Sequence, residues 1–217
     1  MGRRAPGDWA EPPAGASPGC AALPLVLLPG IWEPWRFLGP LARALRAAGH
    51  PVHAVAGLGW NGADLAESAE RVVAHLRDAD VRGGVLVAHS KGGLIGKQVL
   101  LHPGSAGRVA GLVAVATPFG GSSLSFGALS RTPLGLFAPR GAAIATLTEE
   151  RAVNRRIVSL APAWDQVVPE GSVLPGARNV ALEAAGHFRP LADPGVHALI
   201  HTEAHALAAG AASSKEH

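Results

Sequence analysis

The stretch Val85-Leu86-Val87-Ala88-His89-Ser90-Lys91-Gly92-Gly93-Leu94-Ile95 decides how this chain folds. An apolar run suited to a buried strand leads straight into a serine, and an apolar helical pattern begins on its other side. A strand-turn-helix of this kind presents a hydroxyl at the end of a sheet, on a turn so tight that the serine backbone is strained. Ala88 and Gly92, two positions before and two after Ser90, are small enough for strand and helix to approach without side-chain collision. Ser90 is therefore the first candidate nucleophile.

On either side of this stretch, short apolar runs alternate with helical patterns, as a parallel sheet with crossover helices requires. Residues 25–28, 52–56, 84–87, 109–116, 157–160 and 179–182 read as strands. Phe37, Leu38, Leu41, Leu45 and Ala48 follow helical spacing, with Gly49 as a stop. A second helix carries Leu65, Ala69, Val72, Val73 and Leu76 with Asp64 as its N-terminal cap. Val196, Leu199, Ile200, Ala204 and Leu207 mark the last helix. The expected fold class is α/β, a mostly parallel central sheet flanked by helices on both faces.

A chain of 217 residues with a 48% hydrophobic fraction has material for one substantial core and little room for a second. The expected organisation is a flexible N-terminal arm over 1–22, a single domain over 23–209 with an apolar insertion around 119–150, and a frayed tail over 210–217. A single cysteine, Cys20, excludes an internal disulfide framework and a cysteine-built metal site. The 19 basic and 16 acidic residues are scattered, so no nucleic-acid partner is expected. Arg3-Arg4 invites an export reading, but Asp8, Glu11 and several prolines break up the segment where an apolar signal core would have to lie. No run approaches the roughly 18 apolar residues of a transmembrane helix, and the expected location is cytoplasmic.

A serine hydroxyl keeps its proton at neutral pH unless a base stands within hydrogen-bond reach, and that base works best when a carboxylate orients it. In a parallel sheet such groups gather at the carboxyl ends of strands. Asp165 follows the strand at 157–160, and His187 follows the strand ending at Leu182. Glu170 and Glu183 are alternative carboxylates. The chain order Ser90, Asp165, His187 is the one expected of serine hydrolases built on a strand-turn-helix. Donors for a developing oxyanion are expected at the backbone N–H of Lys91, which opens the helix, and of Ile31, in the loop after the first strand.

These motifs together resemble the α/β-hydrolase family, and more narrowly small bacterial lipases and esterases. The resemblance rests on Pro29-Gly30 with Trp32, the segment Ala88 to Gly93, Thr117-Pro118-Phe119-Gly120-Gly121-Ser122, Asp165-Gln166-Val167-Val168-Pro169 and Gly186-His187, and it spans roughly residues 23–207. It implies a nucleophile, acid and base at Ser90, Asp165 and His187, with no metal or organic cofactor. Three positions depart from the family pattern. Ala88 stands where Gly is usual, Pro29-Gly30 replaces a His-Gly pair, and Lys91 is a cation where an uncharged residue is more common. If its side chain enters the cleft, Lys91 would attract anionic substrates.

The expected activity is hydrolysis of small carboxylic esters through an acyl-serine intermediate. Thioesterase, amidase or acyltransferase chemistry is reachable from the same triad, and a non-catalytic ligand-binding protein could share the fold. Trp32, Phe119, Phe126, Leu134 and Phe137 are candidate substrate-binding residues that would bury an apolar acyl group, the alternative being plain cover for the core. His197, His201 and His205 recur every four residues on the last helix. Without a nearby cysteine or well-placed carboxylate, that stripe reads as a solvated face and no metal site is expected. The segment His201-Thr202-Glu203-Ala204-His205 lacks zinc-protease spacing, because its glutamate comes one position late.

Overall fold

A computed structural model describes residues 22–125, 135, 137–139 and 141–213. The expected arm lies outside these residues up to position 21, as do Phe126 and Leu134 of the insertion and the last four residues of the tail. Six strands form one sheet: β1 (Leu25–Leu28), β2 (Val52–Ala54), β3 (Gly84–His89), β4 (Val109–Val115), β5 (Ile157–Pro162) and β6 (Arg178–Leu182). Their order is β2-β1-β3-β4-β5-β6, and every neighbouring pair is parallel. The strands are joined by α1 (Gly39–Ala47), α2 (Leu65–Asp78), α3 (Lys91–Leu101) and α4 (Ala142–Glu149), and α5 (Pro194–Ser213) follows β6.

Alternation along the strands divides the core into two layers. Val26, Leu28, Leu86, Ala88, Leu112 and Ala114 face one cluster with residues of α2 and α3. Leu25, Leu27, Val85, Val87, Val113 and Val115 face the other, with residues of α1 and α5. Helices thus cover both faces of the sheet, as the unbroken apolar runs of β1, β3 and β4 require.

Val55 and Ala56 leave β2 for a 3-10 turn over Ala56–Leu58. Residues 210–213, expected in the tail, continue α5. Asp64 caps α2 as expected, its carboxylate accepting from the Glu67 N–H at 2.8 Å.

Topology dictates where a site can form. From β1 the chain moves outward through α1 to the edge strand β2, then returns through α2 to β3 and proceeds the other way. The strand order therefore reverses between β1 and β3, which opens a crevice outside their carboxyl ends.

Helix α3 lies against the sheet through glycine. A Cβ on Gly92 would stand 2.2 Å from the Leu28 carbonyl oxygen, and one on Gly93 would stand 2.0 Å from Thr117 Oγ1. Backbone cannot retreat from such overlap without moving the helix. Gly92→Ala is expected to lower stability in urea denaturation by about 1–3 kcal/mol. Gly57→Ala, at a position with nothing within 4 Å of the added carbon, is the control expected to leave the midpoint near that of the unsubstituted protein.

Candidate active site

Ser90 joins β3 to α3 with φ 52° and ψ −123°, a conformation that L-residues seldom adopt. Its N–H donates to the Val115 carbonyl at 2.9 Å, and its own carbonyl accepts from Gly93 N–H at 2.9 Å. The strained turn is thus held from both the sheet and the helix, which aims the side chain outward at the strand's carboxyl end.

Asp165 and His187 come from the loops after β5 and β6, and both are almost fully buried. His187 Nδ1 lies 2.8 Å from Asp165 Oδ2, while Asp165 Oδ1 accepts from the N–H groups of Val167 and Val168 at 2.8 and 2.9 Å. Burial pushes this carboxyl's pKa up, but hydrogen bonding and charge attraction from His187, together with the two backbone donors, outweigh it and hold the pKa below its ordinary value. The loop bearing His187 is braced in turn. Gln166 Oε1 accepts from its N–H at 3.2 Å, and Gly186, at φ +98°, donates to the Trp164 carbonyl at 2.6 Å.

Ser90 and His187 line one cavity of about 260 Å³, together with Ile31, Trp32, Phe137 and Phe188. Pro118, Leu124, Val167 and Val168 add to a largely apolar wall. Trp32, Leu124 and Phe188 remain about half exposed at this wall (48%, 49% and 48%). Phe119 is placed differently from the expectation: it is buried in the core layer under α2 and α3 and is not among the cavity-lining residues.

The lysine beside Ser90 does not enter the cleft. Lys91 is fully buried, and its ammonium donates to the Asn61 carbonyl at 2.8 Å and to the Ala63 carbonyl. Burial lowers its pKa to about 8, against the opposing pull of Asp64. Asn61 extends this brace to the loop after β1, its amide donating to the carbonyls of Pro29 at 2.6 Å and Gly30 at 3.2 Å. The reading of Lys91 as an attractor of anionic substrates is therefore corrected: its charge is spent on backbone carbonyls behind the cleft.

Sequence reasoning missed a second buried pair. His89 Nδ1 lies 2.9 Å from Glu33 Oε1, and Glu33 Oε2 accepts from Gly30 N–H at 2.7 Å. His89 Nε2 faces the carbonyl of His187 at 3.0 Å. A carbonyl only accepts, so Nε2 carries hydrogen. Gly30 leaves room for this carboxylate, since a Cβ there would come within 2.7 Å of it. One signal was available: a histidine inside an apolar strand must have buried partners.

The sequence pattern of the Alpha/beta hydrolase family matches residues 25–215. None of the curated proteins matches the chain by sequence. Among solved structures, the mature lipase BlEst2 of Bacillus licheniformis is similar at TM-score 0.72 and 16% identity, over 89% of this chain and 95% of that one. A carboxylesterase structure from the thaumarchaeon Nitrososphaera gargenis is similar at TM-score 0.60 and 16% identity, covering 88% and 92%. An extracellular α/β-hydrolase from a Paenibacillus species is similar at TM-score 0.57 and 20% identity, covering 84% and 98%. At these identities the likeness is one of fold. No helix among the described residues is long and apolar enough to cross a membrane. The family pattern spans nearly the whole chain, over a parallel six-stranded sheet with a strained serine turn after its third strand, and the chain belongs to the α/β-hydrolase family.

Proposed function

We propose that this protein is a serine hydrolase of carboxylic esters, acting through an acyl-serine intermediate. The observation that carries the reading is the buried His187–Asp165 hydrogen bond at 2.8 Å, beside a cavity shared by His187 and the strained Ser90. His187 takes the Ser90 proton as the oxygen attacks the ester carbonyl, and returns it to the departing alkoxide. In the second half-reaction His187 takes a proton from water, whose oxygen attacks the acyl carbon, and gives it to Ser90 Oγ as the acyl–oxygen bond breaks and the acid leaves. Asp165 keeps the imidazole in the correct tautomer and stabilises its charged form.

Lys91 N–H is the first proposed oxyanion donor, because it opens α3 and belongs to the helix's first turn of N–H groups without intrahelical partners. Ile31 N–H is the second. The neighbouring Gly30 N–H is already committed to Glu33, whereas Ile31 lines the cavity. The mostly apolar wall with Trp32, Phe137 and Phe188 suits an uncharged acyl group, and the small volume suits a short one. Burial of the lysine charge away from the cavity favours the same class of substrate.

Ser90→Ala is expected to keep its fold by circular dichroism and to lose turnover of nitrophenyl butyrate by a factor on the order of 10⁶. It is also expected to lose labelling by a fluorophosphonate probe. Undiminished turnover or labelling in this variant would exclude the mechanism.

Glu33 and His89 act as positioning residues, since they join the loop carrying Ile31 to the backbone of His187. Small displacements of reacting groups cost about 100-fold in rate. Glu33→Ala and His89→Ala are each expected to lower kcat by about that factor with little change in KM. The double variant should lose scarcely more than either single one, because both break the same connection. Additive losses in the double variant would separate the two residues.

A further inference from the structure

The stripe on α5 is not simply a solvated face. His201 and His205 are one helical turn apart, so their rings project from the same side of the helix. Buried His50, from the turn between α1 and β2, meets them there. The three rings each offer a ligand atom, and among the described residues these atoms lie within 4.8 Å of one another. His197, the remaining member of the stripe, is turned elsewhere: its Nε2 lies 2.7 Å from the Leu191 carbonyl.

Orientation distinguishes this cluster from a chance meeting of imidazoles. His50 Nδ1 lies 2.9 Å from the Leu23 carbonyl, which only accepts, so Nδ1 carries the hydrogen and Nε2 presents its lone pair to the other two rings. A backbone carbonyl fixing one nitrogen so that the other is free to coordinate is how metal-binding histidines are commonly oriented. His50 Nε2 stands 2.8 Å from His201 Nδ1, and the ring of His205 is centred 5.2 Å from that of His50 and 4.7 Å from that of His201. Burial and the proximity of the other imidazoles lower the pKa of His50, with the Leu23 hydrogen bond opposing them, and burial followed by His201 lowers that of His205.

We propose that His50, His201 and His205 form a three-histidine site for a divalent cation of the zinc class, with solvent in the fourth position. Imidazole suits zinc, copper, nickel and cobalt rather than the hard cations calcium and magnesium, which require oxygen ligands. Coordination requires His201 to carry its hydrogen on Nε2 instead of Nδ1, an exchange that solvent can mediate because this ring is partly exposed. Around a tetrahedral zinc the ligand nitrogens stand about 3.3 Å apart, so the His50–His201 contact has to open slightly while His205 closes in. Leu23 and His50 precede the amino ends of β1 and β2, whereas Ser90 follows the carboxyl end of β3. The cation therefore sits at the opposite end of the sheet from the proposed acyl-transfer site. It ties the α1–β2 turn to a helix 151 residues further along the chain.

The test uses the full chain without an affinity tag, stripped of metal by a chelator and titrated with zinc chloride by calorimetry, with bound zinc counted by mass spectrometry after dialysis. One zinc per chain is expected, with a rise in the thermal midpoint on binding. His201→Ala and His205→Ala, both on accessible positions of α5, should each weaken binding by about 100-fold or more and abolish that rise. His197→Ala should leave affinity and stoichiometry unchanged. Cobalt(II) in place of zinc should give the intense visible bands of a tetrahedral ion in the unsubstituted protein and lose them in His205→Ala. Less than one zinc per chain at saturation, affinity unmoved in both His201→Ala and His205→Ala, or an equal loss in His197→Ala would each overturn the site.

Discussion

The whole arrangement depends on how closely α3 approaches the strands beneath it. Gly92 and Gly93 meet the Leu28 carbonyl and the Thr117 side chain at distances that no Cβ tolerates, and this contact keeps the Ser90 turn at positive φ. A helix held even slightly further out would relax that turn and withdraw the hydroxyl from the carboxyl end of β3. The strain is local, but the packing that maintains it extends across β1, β3 and β4.

Around that turn, two histidines are buried, each against a carboxyl group. His187 and His89 have ring centres 4.7 Å apart, and each has its own carboxyl partner, Asp165 and Glu33. Had either carboxylate been absent, a buried imidazole would be left to find another partner or to stay unsatisfied. Lys91 follows the same logic: its ammonium is satisfied by carbonyls from the segment that also carries Asn61. The loop after β1 is consequently held by Glu33 from one side and by Asn61 from the other.

Much of this is legible from residue order. The strands show as apolar runs because a parallel sheet covered on both faces needs no polar alternation, and the Asp64 cap shows because its carboxylate stands directly before a periodic helix. The loops carrying Ser90, Asp165 and His187 can be placed because each follows a strand. What stays hidden depends on side-chain direction. Nothing in the sequence says that Lys91 turns back toward Asn61, that Glu33 reaches His89, or that His50 meets α5 across 151 positions. Phe119 escapes sequence reasoning for the same reason, since an aromatic residue near a strand end serves equally well as core or as cavity wall. Along the last helix the sequence presents three equivalent histidines, whereas one of them is occupied by a carbonyl of its own neighbourhood.

The position of α5 in the chain has a consequence for biosynthesis. Val196, Ile200 and Ala204 complete the apolar layer under β1, β3 and β4, yet this helix follows every strand in chain order. During translation the sheet can be assembled, and its opposite face covered by α2 and α3, while this side has only α1 to cover it. Until the helix emerges from the ribosome, a greasy surface faces the surrounding medium, and nascent chains are at their most adhesive during that interval. Chaperone demand should therefore be highest in the interval when the sheet is formed and this cover is still inside the exit tunnel.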